Sequence, residues 1–174
     1  MPTLILDPPP HQLEELLEQR RRLGADRHDE VWKGVYHMVP GPSAPHSFIA
    51  QQVSVLIDSP ARAARLHVSL EFNLGLGKDD FRVPELGVHR ERRSGTWVPT
   101  AAIVVEILSP EDEAWQKLPF YAERGVEELL FIDPDERSVK WLTLREGTYQ
   151  AVERSELIDL PASQLAQQIE WLDS

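Results

Sequence analysis

The chain has 174 residues, 41% of them hydrophobic, and it contains no cysteine. This excludes disulfide frameworks, thiolate metal sites and cysteine nucleophiles, and we expect one domain in a reducing, cytoplasmic setting. The formal net charge of -11 argues against tight nonspecific DNA binding, although a site built from carboxylates is acidic by construction. Since no segment approaches ~18 consecutive apolar residues, we expect neither export nor membrane insertion.

The first 60 residues predict two helices separated by two short strands. Residues 11–23 carry leucines at helical spacing, with Glu and Arg on the other faces. Residues 29–42 predict the two strands, which a cluster of Pro and Gly ends. A second apolar stripe at helical spacing begins at His46, and Pro60 is predicted to close that helix.

The middle of the chain predicts the strands of a sheet. Residues 66–76 alternate apolar with small or polar residues, which indicates one long strand with one face in the core. Residues 81–88 predict a further strand, in which Pro84 indicates an edge or an irregularity. Residues 101–108 are almost continuously apolar, which predicts a central strand covered on both faces.

The last third of the chain alternates again between helices and strands. The predicted elements are a helix over residues 111–124 ended by Gly125, a strand at 128–132, a hairpin of 138–144 with 148–152, and a helix over 161–172. This mixed order predicts an α/β or α+β fold, in which a mixed sheet is flanked by helices.

Glu106 needs a partner, because it lies inside the apolar run of residues 101–108. An ionised carboxylate that leaves water without a partner is so unfavourable that it takes up a proton or finds a cation or strong donors. Alternatively, Glu106 lies at the exposed end of its strand and reaches solvent or an arginine.

Glu85 is a second acid on a predicted strand, next to Pro84. Two carboxylates on neighbouring strands repel each other unless a divalent cation lies between them, and oxygen ligands suit Mg²⁺ or Mn²⁺. Such a cation polarises a phosphodiester and generates hydroxide from bound water. The alternative is a solvated charge on an edge strand.

Lys117 follows Glu106 by eleven residues, with Glu113 four residues before it and Tyr121 four after it. If this segment is helical, the three side chains share a face. An ammonium group near the metal could orient the attacking water or stabilise negative charge on the phosphorane. The alternative is a surface ion pair between Glu113 and Lys117, worth only a few tenths of a kcal/mol. Pro119 indicates that a helix starts or kinks there.

Three segments resemble the Uma-type restriction-endonuclease family, a large bacterial group in the PD-(D/E)XK nuclease superfamily. They read RVPELGV, AAIVVEILSPED and KLPFYAERGVEELLFIDPDERSV, and the earlier Glu30, Gly34 and His46 match the N-terminal pattern of the family. The resemblance covers residues 29–152. It implies a restriction-endonuclease-like core, a site on two adjacent strands, Mg²⁺ dependence and phosphodiester hydrolysis.

Carried over by position, the resemblance assigns four residues. Glu85 stands where the family usually has the Asp of its Pro-Asp pair, and Glu106 matches the second acid. Lys117 matches the family's lysine, and Glu30 is implied as a further acid near the metal. Glu85 is one methylene longer than Asp, and a metal displaced by about 1 Å can cost about a hundredfold in rate.

We therefore expect residues 1–174 to form one restriction-endonuclease-like domain. Residues 1–28 are predicted as an N-terminal helical extension, 29–152 as the family core and 153–174 as a C-terminal helix. The leading hypothesis is a homodimeric Mg²⁺- or Mn²⁺-dependent endonuclease that hydrolyses phosphodiester bonds in nucleic acid, with DNA as the expected substrate. A catalytically inactive binding or assembly module is the alternative, and a structural homo-oligomer that pairs its edge strands is a third.

Overall fold

The computed structural model describes residues 14–92, 94–109 and 113–172, together with the backbone of residues 4–6. Its helices are α1 (Glu14–Leu23), α2 (Ala44–Ala63), α3 (Leu118–Glu123) and α4 (Ala162–Gln168), with a 3-10 helix, Ala114–Lys117, before α3. Its strands are β1 (Leu4–Leu6), β2 (Glu30–Trp32), β3 (Val35–Met38), β4 (His67–Leu70), β5 (Asn73–Gly77), β6 (Asp80–Arg82), β7 (Leu86–His89), β8 (Trp97–Val98), β9 (Ile103–Ile107), β10 (Glu128–Asp133), β11 (Ser138–Arg145) and β12 (Thr148–Val152).

The strands form two sheets, and both are mixed. The first sheet has the order β1-β3-β2-β6-β5-β8, and the second has the order β12-β11-β10-β9-β7-β4. β9 and β10 pair in parallel, whereas β9 pairs with β7 in antiparallel fashion. The predicted α+β class, with mixed pairing and flanking helices, is confirmed, although the strands form two sheets where one was expected.

β9 lies at the centre of the second sheet, and all five of its residues are buried. On one face of the sheet, Ile103 and Ile107 pack in the same cluster as apolar residues of α2 and α4. On the other face, Val104 packs with Phe120 and Tyr121 of α3. The prediction of a central strand covered on both faces is therefore confirmed, and it places Glu106 on the α3 side.

The long strand predicted over residues 66–76 is wrong, because the chain changes sheets within it. β4 belongs to the second sheet and β5 to the first. The alternating pattern continues through this crossing at Glu71 and Phe72, so periodicity alone gives no sign of it. Two of the expected core positions, Leu70 and Leu76, are 62% and 71% exposed.

Residues 81–88 cross back between the sheets, from β6 in the first to β7 in the second. The irregularity predicted at Pro84 is this crossing. At the crossing, Val83 N donates a hydrogen bond to Glu30 Oε1 at 2.8 Å, and Glu71 N donates to the carbonyl oxygen of Glu85 at 3.0 Å. The two crossings are thus adjacent, and they lie where the sheets meet.

Several predicted helix ends shift in the structure. Pro60 does not close α2, which runs on to Ala63 because the Pro60 carbonyl still accepts a bond from Ala64 N at 3.1 Å. α4 ends at Gln168, since Ile169 has an extended backbone, so the helix predicted over 161–172 is too long. The stop at Gly125 is confirmed by its φ of +71°, and Leu118 begins α3 with Pro119 in its first turn. Residues 11–13 and 111–112 lie outside the described part.

No helix in the part of the chain that the structure describes is long and apolar enough to cross a membrane.

Candidate active site

Glu85 and Glu106 face each other across β7 and β9. Leu86 is the register partner of Val105, so the next position places Glu85 opposite Glu106. Directly opposed residues of an antiparallel pair point to the same face of the sheet. The two side chains accordingly point into the same site, where the negative charge of Glu85 helps to raise the pKa of Glu106.

The Glu85 carboxylate receives donors on both oxygens. His46 Nε2 lies 3.0 Å from Oε1, and Ile107 N donates to Oε2 at 3.3 Å. Burial pushes the Glu85 pKa up, but His46 and the positive charge of Lys117 outweigh it and hold the pKa below its usual value. Because its side chain is 23% exposed, Glu85 is the member of the pair that solvent reaches.

Glu106 is closed off from solvent, with 3% of its surface exposed. Burial is the main cause that raises its pKa well above the usual value, and the charges of Glu85 and Glu30 add to it. The Tyr121 hydroxyl donates a hydrogen bond to Glu106 Oε1, and Lys117 Nζ lies 3.3 Å from the same oxygen. The alternative that Glu106 simply reaches solvent is therefore wrong, and its partners are a lysine, a phenol and a second acid.

Lys117 bridges two acids from different sheets. Its Nζ lies 3.0 Å from Glu30 Oε1 and 3.3 Å from Glu106 Oε1, and its side chain is 12% exposed. Burial lowers the Lys117 pKa, but the nearby carboxylates of Glu106 and Glu30 outweigh burial, so that the pKa lies above its usual value. Lys117 is not the surface residue of the alternative, and Glu113 instead pairs with His37 Nδ1 at 3.1 Å.

The Glu30 carboxylate is buried and has three partners, two hydrogen-bond donors and one ion pair. Oε2 accepts a hydrogen bond from Trp32 Nε1 at 2.7 Å, while Oε1 accepts one from Val83 N and forms the ion pair with Lys117. The Trp32 ring is stacked on the His37 ring, with the Arg82 guanidinium 4.4 Å from the Trp32 ring centroid. Glu30 is thus fixed in place before any ligand arrives.

The four residues predicted from the sequence therefore lie together, and the structure adds His46 and Tyr121 to them. Tyr121 was placed on the face of Lys117 by its spacing, but the sequence did not assign it a partner. His46 lies in the first turn of α2, which begins at Ala44, and only the fold shows that this turn lies beside Glu85. No pattern in the sequence reports such a contact, since 39 residues separate the two.

A family model described as "Putative restriction endonuclease", named Uma2, matches residues 13–172. The chain belongs to the Uma2 family. The match extends beyond residues 29–152 at both ends, so it includes α1 and α4 of this Uma2 protein. No curated protein matches the chain.

Among solved structures, the chain is similar to one titled a "putative nuclease belonging to DUF820" from Anabaena variabilis. The identity is 21%, the TM-score is 0.66, and the match covers 80% of this chain and 90% of that one. At this identity the likeness shows a shared fold. The α+β fold of this Uma2 protein, with mixed sheets flanked by helices, is thus shared with that structure.

The donor set of the site is compatible with a hard divalent cation. Within residues 14–92, 94–109 and 113–172, no group of three or more His, Cys, Asp or Glu side chains is arranged to hold a metal ion. Mg²⁺, however, commonly keeps several waters and uses only one or two protein carboxylates. The opposed oxygens of Glu85 and Glu106 supply that number, so the residues of this Uma2 protein fit such a cation.

Proposed function

We propose that this Uma2 protein is a nuclease that uses Mg²⁺ or Mn²⁺ to hydrolyse phosphodiester bonds in nucleic acid, and that DNA is its substrate. The observation that carries the proposal is the apposition of Glu85 and Glu106 with the Lys117 ammonium beside them. A buried acid beside a second, partly buried acid is unfavourable unless a proton or a cation lies between them. A divalent cation bound by both carboxylates would offset the repulsion between their negative charges.

Lys117 and Glu30 have separate roles in the proposal. A bound divalent cation would supply charge stabilisation at the phosphodiester and a lowered pKa for a bound water. Lys117 stabilises negative charge that develops on the phosphorane oxygens, because its ammonium is held in a site with little solvent. Glu30 holds Lys117 in place. The contacts of Glu30 support this anchoring role. The sequence-based prediction that Glu30 is a metal ligand stays a prediction.

Two further side chains hold the acids. His46 donates to Glu85 and fixes the carboxylate that solvent reaches, while Tyr121 donates to Glu106 and fixes the buried one. Donors of this kind orient metal-binding carboxylates in other proteins, and losing one typically costs 10-fold to 100-fold in affinity or activity. Neither residue is proposed to transfer a proton.

The test combines Mn²⁺ titration calorimetry with cleavage of labelled oligonucleotides. Glu106→Gln removes one candidate ligand while keeping its shape, and we expect it to abolish the binding heat and the cleavage. Glu128→Gln is the matched control, because Glu128 is also buried in the second sheet but accepts its bonds from Ser155 Oγ, Glu156 N and Leu157 N. Equal heats for the wild type and Glu106→Gln would contradict the metal site.

A second candidate function is a catalytically inactive module of the same fold. The observation in its favour is that Lys117 already forms ion pairs with Glu106 and Glu30, which offsets part of the acidic charge without a metal. This module would show neither Mn²⁺ heat nor cleavage, in the wild type as in the variant. The single domain and the homodimer expected from the sequence remain proposals as well, and sedimentation equilibrium measures the latter.

A further inference from the structure

Two cavities adjoin beside the candidate active site. The nearer one, of about 340 Å³, is lined by residues of α2 and by Glu85, and we call it the inner cavity. The second, of about 610 Å³, lies along β4 and is called the outer cavity. Leu70 and Glu71 line both, so the two cavities are neighbours, and we call them together the cleft; Glu85, the solvent-reachable acid of the site, lines its inner part.

Three arginines and three acids line the outer cavity: Arg62, Arg65 and Arg92, and Asp58, Glu71 and Glu91. Arg65 and Arg92 line it, and neither has an ion-pair partner among the described residues. Most other arginines of the described chain are paired, as Arg20 is with Asp29. In a chain with a net charge of -11, two unpaired arginines in one cavity mark a place suited to an anion.

Aromatic rings lie in the same cavity as these arginines. Phe72 and His89 line it and meet edge to face, with ring centroids 4.8 Å apart, and His67 lines it too. Sites for single-stranded nucleic acid combine a positively charged groove for the phosphates with rings on which bases stack. The outer cavity offers both kinds of group.

The volume of the inner cavity lies within the range of small-molecule sites, which is roughly 300–1,000 Å³. Pro42, Ala50 and Val83 supply apolar walls, and Ser47 and Gln51 supply polar groups. A base stacked inside a duplex cannot enter such a recess, whereas an unpaired nucleotide can.

We propose that this cleft binds a single nucleic-acid strand, with one unpaired nucleotide in the inner cavity beside Glu85 and the following phosphates against Arg65 and Arg92. The inference rests on the proposed function and specifies its substrate as single-stranded or locally unpaired nucleic acid. The charge of the chain supports the choice, because a duplex-binding surface needs many more phosphate contacts than two arginines supply.

The acidic residues that line the cleft lead to a further prediction about binding affinity. Asp58 is paired with Arg62 at 2.7 Å, whereas Glu71, at the junction of the two cavities, has His28 Nδ1 at 3.9 Å as its neighbour. A strand that passes this junction meets the Glu71 charge. We therefore expect Glu71→Gln to bind the strand more tightly than the wild type does, by about twofold to fivefold, as removal of one repelling charge near a surface allows.

The test measures binding without turnover, in EDTA at low salt. Fluorescence anisotropy of a labelled 12-nucleotide single strand is compared with that of the same sequence as a blunt duplex. We expect the single strand to bind at least tenfold more tightly. The Arg65→Gln, Arg92→Gln double variant should bind the strand at least tenfold more weakly. The slope of log K against log[salt] should become shallower by about 1.4, or ~0.7 for each phosphate that an arginine no longer neutralises.

The control changes the net charge equally but elsewhere. Arg145 and Arg154 are exposed and paired with Glu156 and Asp159, and neither lines the cleft. The Arg145→Gln, Arg154→Gln double variant should bind within twofold of the wild type. Circular dichroism confirms that all variants are folded, as expected for changes at exposed positions.

A second pair of variants tests the inner cavity. Ser47→Trp would fill it from α2, and Ser59→Trp on the same helix lies outside both cavities. We expect the first to weaken single-strand binding at least fivefold and the second to leave it within twofold.

Three results would overturn the inference: equal or tighter binding of the duplex, equal behaviour of the two arginine double variants, or no binding of any oligonucleotide. Because the binding is measured without metal, its outcome is independent of the Mn²⁺ and cleavage tests. A protein that binds the strand through this cleft but does not cleave it would refute the nuclease proposal alone.

Discussion

The Lys117 ammonium nitrogen lies 3.0 Å from Glu30 Oε1 and 3.3 Å from Glu106 Oε1, so this one lysine links the two sheets of the protein. Glu30 belongs to β2 of the first sheet, whereas the other acid partner of Lys117, Glu106, belongs to β9 of the second. The lysine itself ends the 3-10 helix before α3. Three separate parts of the fold therefore set the position of one ammonium group.

Removing the Lys117 charge should abolish most of the cleavage that we propose. Lys117→Met keeps much of the apolar stem but leaves Glu30 and Glu106 without their cation, so we expect kcat to fall by about 10²–10³, as when one stabilising donor of a transition state is removed. Lys140→Met, at an exposed position of β11, is the control and should keep wild-type kcat. A wild-type kcat for Lys117→Met would show that the lysine takes no part in the mechanism.

Glu30→Gln separates anchoring from metal binding. If Glu30 acts only through Lys117, the variant keeps the Mn²⁺ heat of the wild type while kcat falls by about tenfold to a hundredfold, since the ammonium is misplaced by a fraction of an ångström to an ångström. Calorimetry and single-turnover cleavage measure the two effects separately. Loss of the Mn²⁺ heat would instead support the prediction that Glu30 is a metal ligand.

Tyr121→Phe should weaken the metal site without unfolding the protein. The change removes only the hydroxyl that donates to Glu106, and losing such an orienting donor typically costs about 10-fold to 100-fold in metal affinity. The measurement is the Mn²⁺ dissociation constant. Tyr149→Phe is the matched control, because that hydroxyl donates at 2.7 Å to the Val126 carbonyl, away from the acids.

Glu128 should make stability depend on pH. Burial raises its pKa, and the hydrogen bonds from Ser155 and from the backbone N–H groups of Glu156 and Leu157 offset this only in part. A carboxyl with a raised pKa in the folded state contributes stability that is fully present below its unfolded pKa of about 4.3 and is lost as pH rises through the folded pKa.

The measurement is urea unfolding of the wild type and Glu128→Gln between pH 4 and 7. The wild type should lose stability relative to the variant as pH rises, because the amide does not ionise. Parallel pH profiles for the two proteins would show that Glu128 contributes no such dependence.

Gly75 should not tolerate a side chain. A Cβ there would lie 2.6 Å from the Asp80 carbonyl oxygen and 2.8 Å from Phe81 Cβ, and the backbone oxygen has little room to move. We expect Gly75→Ala to cost about 1–3 kcal/mol in the free energy of unfolding. Gly77→Ala, in the same strand, meets no atom within 4 Å and should change it by less than about 0.5 kcal/mol. Chemical denaturation of both variants decides this.

The chemistry of the site was more predictable than its layout. An acid inside an apolar strand demands a partner, and this argument correctly anticipated that Glu106 is not solvated. The buried strand β9 and the helix end at Gly125 were also predicted, because the local sequence determines both. The helix end at Pro60 was wrong because proline removes a donor but leaves its carbonyl free to accept.

What could not be predicted depends on contacts between distant segments. The alternation of residues 66–76 is the same in one strand as in two, so nothing local marks the change of sheet at Glu71. The lysine partner of Glu30 lies 87 positions away, and the contact of His46 with Glu85 depends on where the fold places the first turn of α2. Family resemblance placed Glu30 near the acids, although it did not suggest that the lysine would bind it.

The crossings of the chain between the two sheets have a consequence during synthesis. Because the acids at positions 30, 85 and 106 meet the lysine at position 117 only after both sheets have paired, a nascent polypeptide that has not reached that lysine contains no assembled site. Whatever reaction the protein performs, its reactive groups stay separated on the ribosome. The order of these residues along the chain thus makes Lys117 the last of the four to be synthesised.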